Sequence, residues 1–89
     1  MKIQILTPEE VIFDGEVTSI TVPGSKGEFQ MLENHAAIVS TLEKGKIKLE
    51  SVSSSSVSAK LTDEGKYKVH SIKGGILEFS NNKGIILCE

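Results

Sequence analysis

Short apolar segments recur at a spacing of roughly 8 to 12 residues, each closed by a turn signal, and this rhythm constrains the fold more than any other feature. In "KIQIL" at 2–6, Ile3 and Ile5 alternate with Lys2 and Gln4; in "KIKL" at 46–49, Ile47 and Leu49 alternate with Lys46 and Lys48. A period of two sets one face against a core and the other in water. "EVTSITV" at 16–22 is rich in β-branched residues and ends at Pro23-Gly24. In "EFQML", Phe29 and Met31 point one way and Gln30 and Leu32 the other. "VSAKL" at 57–61, "YKVHSI", "ILEF" and "IILC" bring the set to nine or ten strands. The pattern is that of an all-β sandwich or barrel, not of βαβ units.

The connections carry their own signals. "TPEE" at 7–10 ends the first strand at a proline that cannot donate to a ladder, and Asp14-Gly15 reads as a tight hairpin. Lys73-Gly74-Gly75 and "SNNKG" at 80–84 separate the last strands. The run "SVSSSSVS" at 51–58 reads as a loop of weak order. "NHAAIVSTLEKG" at 34–45 supports two readings. Asn34 as N-cap, Ile38 and Leu42 four apart and Gly45 at the end fit a short helix, whereas β-branched Ile38, Val39 and Thr41 fit a strand.

With 89 residues the chain is expected to be one domain, and ten basic against twelve acidic side chains leave a net charge of −2. That balance offers no footprint for a phosphate backbone. The apolar runs are far shorter than the roughly 20 residues that cross a bilayer, and "MKIQIL" lacks the longer apolar region of a secretory signal, so a soluble intracellular protein is expected. Cys88 is the single cysteine, a structural thiol with no internal disulfide partner.

No catalytic pattern is visible. His35 and His70 are the only histidines, and with Cys88 they match no zinc spacing. His70 lies among polar positions of an alternating strand and reads as a surface residue. Glu9 and Glu10 are adjacent and, in an extended chain, face opposite sides, which makes a poor acid and base pair. The phenylalanines and the tyrosine are scattered, with no platform for stacking a base or sugar. "GSKGE" at 24–28 lacks the G-x-x-x-x-G-K-[ST] spacing of a phosphate loop and reads as a hairpin tip. Lys26 at that tip raises one alternative, a lipoyl or biotinyl carrier domain modified there, although Ser25 and Gly27 are not the neighbours such carriers use.

The stretch "TVPGSKGEFQMLENHA" resembles the segment P-G-S-x-G-E-F-G-V-L-P-G-H-A-P-L of the ε subunits of F-type ATP synthases, with Pro23, Gly24, Ser25, Gly27, Glu28, Phe29, Leu32, His35 and Ala36 in register. The opening "MKIQILTPEEVIFDGEV" and the close "GGILEFSNNKGIILCE" are similar to that family's start and end. The likeness leaves out only the serine-rich insertion around 51–62. Glu33-Asn34 and Ala37 stand where the family usually has P-G and a proline, and Gln30 replaces a usual glycine.

The resemblance implies a flattened sandwich of two roughly five-stranded sheets over 1–89, with 38–42 a strand. It implies a non-catalytic rotor part without cofactor or metal, bound to the γ subunit and the c-ring and coupling proton-driven rotation to ATP synthesis. Its place would be the cytoplasmic side of the inner membrane, as a peripheral part of the complex. The implied contact lobe is Glu28, Phe29, Gln30, Met31, Glu33, Asn34 and His35. Many members continue into two regulatory helices; a chain complete at Glu89 would lack that arm.

Overall fold

The computed structural model describes residues 1–53 and 60–89. The described strands are β1 (Lys2–Leu6), β2 (Val11–Glu16), β3 (Ser19–Gly24), β4 (Gly27–Leu32), β5 (Ile38–Leu42), β6 (Gly45–Glu50), β7 (Thr62–Glu64), β8 (Tyr67–Ile72), β9 (Gly75–Ser80) and β10 (Lys83–Cys88). They form one curled path, β2-β1-β10-β9-β5-β3-β6-β8-β7, with β4 attached to β3. A single bridge, Gly24 to Leu42, links β3 to β5. On either side of it lie five strands, which is the expected sandwich of two five-stranded sheets.

The alternation read in the sequence becomes the core. Ile3, Ile5, Phe13, Leu77 and Ile86 of the first sheet face Ile20, Val22, Met31, Ile47 and Leu49 of the second, all buried. Burying each such side chain contributes about 1.5–3 kcal/mol. β1 pairs parallel to β10 and the other ladders are antiparallel.

Pro23 explains the crossing from one sheet to the other. β3 pairs with β6 only over Ser19–Thr21. Pro23 has no N–H to extend that ladder, and its carbonyl accepts instead from the Glu43 amide at 2.9 Å, beside the β3–β5 bridge. One proline thus ends one pairing where another begins.

Several local readings change. Residues 38–42 form a strand paired with β9 from Ile38–Phe79 to Leu42–Gly75, as the resemblance implied and against the helix pattern. Asn34 sits at φ 65 and caps nothing. Asp14-Gly15 is not a hairpin tip: both residues lie inside β2, opposite Gln4 and Ile3, and the β1–β2 turn is made at 7–10, where the Thr7 amide donates to the Glu10 carbonyl at 3.0 Å. The β-rich stretch at 16–22 is divided, with Glu16 ending β2 and β3 running from Ser19 through Gly24. Residues 54–59, which hold most of the serine-rich run and of "VSAKL", fall outside the described residues; Lys60 and Leu61 precede β7 without being strand.

Candidate partner-binding lobe

The lobe begins at the β3–β4 hairpin. Ser25 and Lys26 form its tip, Gly27 takes a φ of 125, and the tip is anchored to β5 by the Ser25 amide on the Thr41 carbonyl (3.0 Å) and by Thr41 Oγ1 donating to Ser25 Oγ (2.9 Å). A cleft of about 500 Å³ lies between tip and β5, lined by Lys26, Glu28, Phe29, Val39 and Thr41 among others.

Along β4 the side chains divide by face. Glu28 and Gln30 are exposed, and Gln30 Nε2 donates to Ser19 Oγ at 2.9 Å. Leu32, apolar, is 56% exposed. Phe29 is half-buried against the core, and Met31 is fully buried. Met31 therefore packs beneath the strand, on its core side.

The next residues are pinned by groups distant in sequence. Glu33 Oε1 receives a hydrogen bond from the buried Met1 ammonium at 2.9 Å, and the same ammonium donates to the Val17 carbonyl at 3.0 Å. The Asn34 amide donates to Asn82 Oδ1 at 2.8 Å. The His35 amide donates to the Leu32 carbonyl at 3.2 Å, and His35 Nδ1 lies 2.7 Å from the Ala36 carbonyl. A carbonyl can only accept, so Nδ1 carries the proton and Nε2 of the neutral ring is left as an acceptor. The imidazole stands edge-on to Phe79, with centroids 6.1 Å apart at 81°. All seven residues expected in the lobe are thus on one hairpin and the loop after it, six with surface exposure and one beneath.

The histidines and the cysteine sit apart, each in its own surroundings. The His35 proton is held by its neighbour's carbonyl, with no serine or cysteine in its recorded bonds. His70, on β8, is half-buried; burial lowers its pKa from 6.5 and the Glu10 carboxylate pulls it back up. Cys88 is buried with Sγ 3.6 Å from the Leu6 carbonyl, and burial raises its pKa. Among the described residues no three His, Cys, Asp or Glu side chains gather as a metal site.

One surface was missed in the sequence. Val11, Leu6, Leu87 and Ile76 are register partners on successive strands, so they form an apolar row across the outer face of the first sheet. Val11, Ile76 and Leu87 are exposed, as are Ile85 and Val39 nearby. The available signal was "IILC", in which consecutive apolar residues break the in-and-out alternation.

Residues 1–89 match the model of the ATP synthase delta/epsilon chain β-sandwich domain. The chain belongs to that family. It is 40% identical over 88 residues to the ATP synthase epsilon chain of Chlorobium limicola, covering 99% of this chain and 88% of that one. The epsilon chain of Leptospira interrogans is 35% identical over 89 residues, covering all of this chain and 61% of the relative. Two solved structures share the fold. A chain of the Tetrahymena thermophila mitochondrial ATP synthase central stalk and c-ring superposes with a TM-score of 0.69 at 17% identity, over 99% of this chain and 62% of that one. A chain of the Euglena gracilis mitochondrial ATP synthase superposes with a TM-score of 0.73 at 24% identity, over 97% of this chain and 48% of that one. Membership in the delta/epsilon family removes support for the carrier alternative, and Lys26 is a solvated residue of a hairpin tip.

Proposed function

We propose that this delta/epsilon-family chain is a central-stalk subunit of a rotary ATP synthase. It binds the γ subunit and the c-ring, passes proton-driven rotation between them, and makes or breaks no bond itself. The observation that carries the reading is the family match across residues 1–89. The surface fits it: a part that works while permanently held displays apolar area that a free monomer would bury, and the row through Leu87 and Ile76 is such area.

The lobe is the proposed contact. Glu28, Gln30 and Leu32 present one carboxylate, one amide and one apolar side chain, while Glu33, Asn34 and His35 are fixed by the bonds described above. Phe29 and Met31 anchor the strand to the core, so a load on the lobe is carried into packed side chains. The chain would sit on the periphery of the membrane-bound complex, on the side where the catalytic head lies.

A pull-down with the γ subunit of the same organism tests the reading. The folded chain is expected to be retained in stoichiometric amount. A chain that stays folded, by circular dichroism, and is not retained overturns it.

A further inference from the structure

Backbone bonding near the hairpin tip fixes which way every amide in β4 points. The Glu43 amide reaches the Pro23 carbonyl and the Ser25 amide reaches the Thr41 carbonyl, so Pro23 and Ser25 face β5 and Gly24, between them, faces β4. Gly24 is therefore hydrogen-bonded to its partner Gly27, and bonded pairs must alternate from there: Val22 with Phe29, Ile20 with Met31. Pro23, without an N–H, falls at an unbonded pair, as it must. The amides and carbonyls of Glu28, Gln30 and Leu32 consequently point away from β3. The His35 amide on the Leu32 carbonyl agrees with this direction.

Among the described residues β4 pairs with no strand but β3, so this row is open to another strand except at the Leu32 carbonyl, which the His35 amide holds. Edges are usually blunted. The other two strands with a single partner obey that rule: β7 is three residues long with Asp63 and Glu64, and the β1–β2 ladder carries a register irregularity between Ile5 and Leu6. β4 is six residues long, "GEFQML", with an unbroken register to β3, no lysine and no proline, and ends on exposed Leu32.

We propose that the free edge of β4 receives an extended strand of the stalk partner, adding it to the second sheet through the backbones of Glu28, Gln30 and Leu32. This rests on the reading of the chain as a bound stalk subunit. A row of amides and carbonyls at two-residue spacing is complementary to extended backbone and to little else. Glu28 calls for a basic residue opposite it and Leu32 for an apolar one. A second copy of this chain fits poorly. Antiparallel self-pairing centred on residues 28–30 sets Glu28 against Glu28, Gln30 or Leu32, none of them a cation.

Residue-resolved amide exchange on the free chain and on its complex with the purified γ subunit tests this. The expected result is that the Glu28, Gln30 and Leu32 amides exchange at least tenfold more slowly in the complex. Gln30→Pro, which removes an outward donor and no backbone bond to β3, should weaken binding at least tenfold relative to Gln30→Ala, which shares its loss of the side-chain bond to Ser19, with both variants unfolding cooperatively. A complex that forms with those three amides unprotected, or a Gln30→Pro chain that binds as well as Gln30→Ala, overturns the edge proposal and leaves the functional reading standing. Concentration-dependent dimerisation that protects the same amides would assign the edge to a second copy and also overturn it. Absence of any complex contradicts the functional reading itself.

Discussion

The backbone amide of Asn34 donates to the side-chain oxygen of Asn82 at 2.8 Å across 48 residues of sequence, and both residues take a positive φ, 65 and 61. Asn81 (φ 50) and Asn82 are the two central residues between Ser80 and Lys83, the geometry of a type I′ hairpin turn. The Asn82 carbonyl also accepts from the Lys2 amide at 3.1 Å. One turn residue thus joins the β9–β10 hairpin, the start of β1 and the lobe.

Asn82→Gly keeps the backbone angle and loses the bond to Asn34, and is expected to cost about 1 kcal/mol. Asn82→Ala loses both, with an expected cost of about 2 kcal/mol. Urea unfolding of the two variants checks the order.

Phe79 is buried, and its ring meets the His35 imidazole. Phe79→Ala should lose about 3–5 kcal/mol. His35→Ala, at an exposed position, should lose less than about 1 kcal/mol. Thermal denaturation separates the two, and chemical shifts of residues 33–37 should move in both.

The sandwich was legible because strands such as 2–6 and 46–49 are wet on one side and dry on the other, which leaves little choice of fold. Segments whose pairing is decided at a distance were not. Residues 34–45 hold a fair helix pattern until Ile38–Leu42 finds β9, and Asp14-Gly15 is turn-like until β1 lies beside it. In the candidate site, the resemblance placed the lobe residues on one segment, but no local pattern says that Met1 binds Glu33 or that Asn82 binds Asn34. Such contacts join segments far apart in the chain, and only the folded sheet order brings them together.

A methyl added at Gly75 would land on the backbone oxygen of Leu87, with Cys88 Cα 3.1 Å away. One added at Gly84 would meet Ile3 Cδ1 at 2.8 Å, the far end of a flexible side chain. Gly75→Ala is therefore expected to cost about 2–3 kcal/mol and Gly84→Ala about 1 kcal/mol. Denaturant midpoints at equal m-value give the comparison.

Burial lowers the His70 pKa in the folded chain, so as pH falls the unfolded chain takes up that proton first. Stability should be intact above 6.5, decline as pH drops through 6.5, and level off below the folded value, with Glu10 reducing the loss. His70→Gln should flatten that part of the pH profile. Unfolding free energies measured in steps from pH 8 to 5 in both chains test this.

The central claim is mechanical coupling, and proton-driven ATP synthesis by the enzyme reconstituted in vesicles, with and without this chain, tests it most directly. Synthesis per proton is expected to fall at least tenfold when the chain is omitted and to return on adding it back. Equal coupled synthesis in its absence would contradict the account.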